Sequence, residues 1–271
     1  MTKHVEFIDR HHFSNSYIRT APSKKLSPYI EYFWQTDFDR ALQIHPQGFV
    51  DILFPNIGYT YLINLGTPFY MGLDGKKTLV KNGGFLSRHQ SLAAFHSRGN
   101  KVFGIKFFVS PVLFEKKVNF SEYKESIFSL SYLLDSNVFS AVNSALNFDQ
   151  RVEIVSSYYT NIINRHEGSL KQLDVVIDML RSYENDNDLS IEGLAKRHGL
   201  ASRSILRYFN ATIGLSPKQT IKIFRIRKAV LNQTREPKTF QPTAFGYYDL
   251  SHYHRHLKQF HQCNSKSYFS E

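Results

Sequence analysis

The residues best equipped for chemistry lie near the C-terminal end. Arg203 and Arg207 stand four apart, a spacing that puts both on one face of a helix. A guanidinium carries a planar fork of donors that matches a guanine edge or a phosphate. Further along, Leu250, Ser251, His252 and Arg255 form a second short constellation, and Lys218, Lys222 and Lys258 supply compact point charges around the two. Ser202, just ahead of the first arginine, adds a hydroxyl. Metal chemistry has one place to be considered, because His252 and His256 share a helix face with Cys263 nearby. That face is the one the cations occupy, and two imidazoles do not complete a site. His45, His89 and His96 lack the clustered His-x-His and Glu spacing of a metal-dependent barrel enzyme. Nucleophile elbow, phosphate loop and dinucleotide fingerprint are all missing, so neither catalytic residue, metal nor cofactor is expected.

Two short helical units are needed to hold these side chains outward. In the first, Ser190 caps a helix whose Leu194 and Ala195 face inward, and Gly199 suits the left-handed turn that ends it. The segment Ala201–Asn210 follows, with Ile205 and Phe209 four apart on an inner face and Arg203, Leu206, Arg207 and Asn210 outside. Helix, glycine turn and a second helix with an outward basic stripe is the plan of a helix-turn-helix, whose second helix enters the DNA major groove.

Charge agrees with this placement. Residues 1–188 hold 20 Lys and Arg against 19 Asp and Glu, a net +1, whereas residues 189–271 hold 14 against 4, a net +10. Concentrated cations of this kind release counterions from a nucleic acid, although an acidic protein or membrane surface is served by the same patch. A single cysteine rules out an internal disulfide framework, no apolar run of about 18 residues is present, and the start lacks a signal-peptide core. These features predict a cytoplasmic protein with no membrane partner.

The first half reads as short strands between breakers, at 48–54, 58–66 and 102–109, a density that suggests a sandwich or barrel. From about Leu113 the pattern turns helical, with Asp149 placed to cap a helix running to Ile163. The polar stretch 164–169 is the candidate linker. We therefore expect an α+β chain: a β-rich domain ending in helices over 1–165, then an all-α domain over 170–271.

The C-terminal residues resemble the AraC/XylS family of transcription regulators. Leu194, Ala195, Gly199, Arg203, Ile205, Arg207, Phe209, Gly214, Ser216 and Pro217 follow the family's first unit. Arg225, Ile226 and Ala229 match its linker helix, and Gly246–Phe260 is similar to its second unit, which implies a recognition helix capped by Asp249 with Tyr253 and Leu257 inward. Departures are Ala201 where the family caps with Ser, with Ser202 as substitute, and Gln241-Pro242 where the second supporting helix reads apolar-Ala. That helix is then either short, opening near Pro242, or distorted. Gln262 and Ser265 stand at the family's later Gly and Pro. The first half is similar to the cupin-like sensor barrel of one branch, through 26–34, 45–54 and 103–107.

The resemblance implies base reading by Arg203, Leu206 and Arg207 in unit one and by Leu250, Ser251, His252 and Arg255 in unit two. It assigns Ser202, Lys218, Lys222 and Lys258 to phosphates, with unit one supplying most specificity. Implied partners are double-stranded promoter DNA, a small-molecule effector, a second copy of the chain and, for an activator, RNA polymerase. Trp34, Phe49 and Phe54 are the candidates for lining an effector pocket, set against ordinary core packing. The rival reading is a ligand-binding or catalytic β-barrel whose helical tail is a protein-interaction module. A third keeps DNA binding and makes the barrel a dimerisation unit without a ligand.

Overall fold

The computed structural model describes residues 2–6, 17–73, 76–116, 118–123, 126–168, 171–185 and 190–260. The chain is α+β, with strands in the first half and helices in the second. The strands are β1 (Thr2–Val5), β2 (Tyr17–Thr20), β3 (Ile30–Asp37), β4 (Phe49–Leu53), β5 (Tyr59–Asn64), β6 (Phe69–Leu73), β7 (Lys76–Val80), β8 (Gly83–Ser87), β9 (Leu92–His96), β10 (Lys101–Phe107) and β11 (Phe128–Ser129). A short helix α1 (Asp39–Ile44) separates β3 from β4. The runs read from sequence at 48–54, 58–66 and 102–109 are β4, β5 and β10.

The strands form two sheets, in the orders β1-β4-β9-β6-β7 and β11-β8-β5-β10-β3-β2. Among the described residues every pairing is antiparallel except β1 with β4. Alternation decides which face each residue serves. On β5 and β10, Leu62 and Val102 join Phe49, Phe69, Met71 and Ala94 of the other sheet in a core between the two walls. Tyr59, Tyr61, Ile63, Phe103, Ile105 and Phe107 point the opposite way. Both faces of the larger sheet are thus covered, which is why its central strands read as nearly continuous apolar runs.

What covers the second face is helical. The helices are α2 (Ser136–Ser144), α3 (Phe148–Arg165), α4 (Lys171–Asn185), α5 (Ile191–Arg197), α6 (Ser202–Ile213), α7 (Pro217–Arg235) and α8 (Leu250–Phe260). One apolar cluster runs from β5 and β10 through Val155 and Tyr159 of α3 and Val176 of α4 to Ile205 and Phe209 of α6. A separate cluster gathers Ile226, Ala229, Val230, Tyr253 and Leu257 around Phe54, which enters from the loop after β4.

Two local expectations need correction. The N-cap of α3 is Asn147, whose side chain accepts from the Gln150 amide at 2.9 Å, while Asp149 lies in the first turn. Asn147 wins because its backbone is extended, as an N-cap requires. That helix also continues to Arg165, shortening the linker. No helix among the described residues is long and apolar enough to cross a membrane.

Candidate nucleic-acid interface

Unit one is assembled as its residues dictate. The Ser190 hydroxyl accepts from the Gly193 amide at 2.9 Å and starts α5, on which Leu194 and Ala195 are buried. Gly199 turns the chain at φ +61, and α6 begins two residues after Leu200. Along α6, Ile205, Phe209 and Ile213 are buried while Ser202, Arg203, Leu206 and Arg207 are exposed, and Asn210 is half-buried. The N-cap position belongs to Ala201 and no side chain caps the helix, so Ser202 does not replace the missing serine. Its position inside the first turn puts it past the extended residue where a capping hydroxyl works.

Gly214 ends α6 at φ +72, and a Cβ there would lie 2.8 Å from both the Phe120 carbonyl oxygen and the Tyr59 hydroxyl. The Tyr59 hydroxyl donates to the Phe120 carbonyl at 2.7 Å. The β-rich half therefore abuts the end of α6, and its Asn119 and Ser121 join Arg203, Leu206, Arg207, Asn210 and Ala211 in lining an open cleft of about 330 Å³. Asn119 and Ser121 carry no sequence signal for this role, because only the fold brings them beside α6.

Ser216 and Gln219 start α7 with a reciprocal capping box, behind Pro217 at the first helical position. Lys218 and Lys222 are exposed on this helix. In unit two, Pro242 opens a single 3-10 turn, Pro242–Phe245, in place of a full supporting helix. This is the short form of the two that the sequence left open. Asp249 caps α8 by accepting from the His252 amide at 2.6 Å, and the Tyr248 amide donates to His252 Nδ1 at 3.3 Å. Leu250, Ser251, His252, Arg255 and Lys258 are exposed; Tyr253, His256 and Leu257 are buried.

His252 and His256 thus part company. The His256 ring faces inward, with Nδ1 2.7 Å from the Tyr247 hydroxyl, and burial followed by the nearby charges of Lys222, Arg225 and His252 lowers its pKa to about 4. A metal pair on one solvent face is not what this geometry provides. Cys263, the other proposed ligand, lies outside the described residues, as do Gln262 and Ser265. Among the described residues no group of three His, Cys, Asp or Glu side chains could hold a metal ion.

Of the aromatic candidates in the first half, Trp34 and Phe49 share one core and Phe54 lies in another. Phe49 belongs to the core between the sheets, where it packs against Phe38 and His96, and half-buried Trp34 packs against that core. Trp34 lies over Gly104, whose missing side chain leaves its space, and stacks on Tyr17. Phe54 is fully buried in the cluster of α7 and α8.

Beside Phe54, a charged cluster ties the halves together. Arg88 pairs with Glu6 and also donates to the Phe54 carbonyl, and Glu6 accepts from the Phe54 amide at 2.7 Å. From α7, Arg227 donates to the Pro55 carbonyl at 2.7 Å. Burial works to raise the pKa of Glu6, but Arg88 and Arg227 overcome it and hold the carboxyl below its usual range. Lys106, buried on β10, donates to the Ile57 carbonyl, and loss of solvent lowers its pKa to about 7.

Comparison with known proteins adds distant likenesses. No protein-family model matches the chain, and no curated protein matches it. Among solved structures, ToxT from Vibrio cholerae is similar at 10% identity and a TM-score of 0.46, over 94% of this chain and 98% of that one. A further structure of ToxT, bound to an unsaturated fatty acid, gives 10% identity and a TM-score of 0.45 over 95% and 96% of the two chains. The AraC-like transcriptional activator CuxR gives 10% identity and a TM-score of 0.29, over 82% of this chain and 90% of that one.

Proposed function

We propose that this chain is a sequence-specific DNA-binding transcription regulator of the AraC type. The observation that carries the reading is the pair of exposed helix faces, Arg203-Leu206-Arg207 on α6 and Leu250-Ser251-His252-Arg255 on α8, within the segment of net +10. Each helix turns its apolar side into a core, and among the described residues no ion pair ties Arg203, Arg207, Arg255 or Lys258 to a carboxylate, as suits a groove-entering helix. Arg203 and Arg207 read guanines and Ser202, Lys218, Lys222 and Lys258 hold phosphates. With Nδ1 accepting from the Tyr248 amide, His252 turns Nε2 outward, where an N–H there donates to a base edge. The uncapped start of α6 leaves amides for a phosphate oxygen.

In this reading residues 170–271 form the DNA-binding domain and 1–165 a sensing or dimerising domain of a cytoplasmic protein that is not an enzyme. A small-molecule effector, a second copy of the chain and, for an activator, RNA polymerase are the further partners it implies. The test is selection of duplexes from a random-sequence pool by the full chain, followed by footprinting. Two protected major-groove segments about one helical turn apart are expected. Failure to enrich any sequence would refute the proposal and turn attention to the helical half as a protein-interaction module.

A further inference from the structure

Within 190–260 the large apolar side chains left exposed are Leu206, at 42%, Tyr248, at 87%, and Leu250, at 48%. None of them lies at random on the surface. Leu206 stands between Arg203 and Arg207 on the outer face of α6, in the cleft those arginines line. Leu250 opens α8, and Tyr248 sits just ahead of it, held by the bond from its amide to His252 Nδ1 at 3.3 Å. Single exposed apolar residues are ordinary, but here both cationic helix faces carry them, and a face bound only through charge would need none.

Resting on the regulator reading, we propose that Leu206, Tyr248 and Leu250 read thymines through their 5-methyl groups. The major-groove edge of a base pair offers hydrogen-bond acceptors to the arginines, and the thymine methyl is its apolar feature. Leu206 packs on a thymine next to a guanine held by Arg203 or Arg207. Tyr248 and Leu250 make the corresponding contact at the start of α8, where the neighbouring His252 Nε2 proton reaches a base acceptor. Tyr248 is thereby a specificity residue of unit two, although it precedes the helix. The net +10 of residues 189–271 draws this surface onto duplex DNA and away from an apolar partner.

Replacing thymine by deoxyuridine removes the methyl and leaves the hydrogen-bonding pattern intact, so it isolates this contact. The full chain is titrated against a duplex selected from a random pool and against single dT-to-dU versions of it. We expect about fourfold weaker binding at one or more positions in each protected segment, the loss of roughly one buried methyl-sized group. Leu206→Ala should abolish the difference in the first segment and the paired change Tyr248→Ala with Leu250→Ala in the second, while Arg207→Ala weakens binding yet keeps the dU effect. Equal affinity for dT and dU duplexes, selected sites without thymine, or a dU effect that survives both alanine variants would overturn the proposal with DNA binding intact. Absence of any selected sequence would remove the regulator reading itself.

Discussion

Single side chains divide into those that read and those that hold. Arg207→Ala is expected to cost about 1–3 kcal/mol in binding and to relax preference at one base pair, because a bidentate contact to one base is lost. Lys222→Ala should weaken all sequences alike and lower the salt slope by about one, as loss of a phosphate contact does. Anisotropy titrations on matched and mismatched duplexes separate the two, and a uniform loss for Arg207→Ala would remove it from base reading. His256 makes a prediction about stability. Its folded pKa, about 4, lies below the value in the unfolded chain, about 6.5, so between these values the unfolded state binds the proton and the folded state does not. Stability contributed by this group is therefore full above about pH 6.5 and is lost as pH falls toward about 4. His256→Gln should show a shallower fall in melting temperature over that window, and an unchanged profile would contradict the buried, neutral ring. The inward pair Ile205 and Phe209 on α6 was legible from four-residue spacing, and Tyr253 and Leu257 on α8 from the family resemblance. The His256 partnership was not, because its spacing to His252 suits a shared face equally well and only the Tyr247 hydroxyl shows where the ring points.

At the level of elements, the caps followed the sequence where the capping residue and the backbone agreed. Ser190, Ser216 and Asp249 hold their helix starts as their types predict. Asp149 and Ser202 do not, since each stands inside its helix, past the extended residue. Pro242 was legible as an interruption, and the resulting single 3-10 turn leaves unit two with a smaller support than α5 gives to unit one. Gly214 has a meaning that spacing alone could not reveal. It ends α6 and also lets the Phe120 carbonyl and the Tyr59 hydroxyl of the β-rich half come close. Gly214→Ala combines left-handed backbone strain with a clash, and is expected to lower stability by about 1–3 kcal/mol, measurable by urea denaturation. A neutral result would show that the contact between α6 and the 3-10 turn at Phe120–Tyr123 yields freely. Ser216→Ala, which dissolves the capping box of α7, should cost about 1 kcal/mol in the same measurement.

Over the whole molecule, the sequence divides more sharply than the structure does. Charge and periodicity separate a neutral strand-rich half from a basic helical one, yet the apolar cluster from β5 to α6 and the burial of Phe54 among α7 and α8 join them. Contacts between residues far apart in the chain leave no local pattern, so neither Phe54 nor the Glu6–Arg88–Arg227 cluster was readable in advance. Arg227→Ala should loosen the two halves, costing roughly 2–4 kcal/mol by leaving a buried polar cluster incomplete. Hydrogen exchange would then rise at both the Pro55 loop and α7, and a rise confined to α7 would show that the cluster does not couple them. The shared core also means that DNA binding is best measured on the full chain. The most direct measurement is the affinity of that chain for a selected duplex across a salt series. The helix faces described predict a steep inverse dependence, with affinity falling about a thousandfold or more between 50 and 200 mM salt if six or more phosphates are neutralised. Binding that is absent, or that is unmoved by salt, would contradict the assignment of these two cationic faces to DNA.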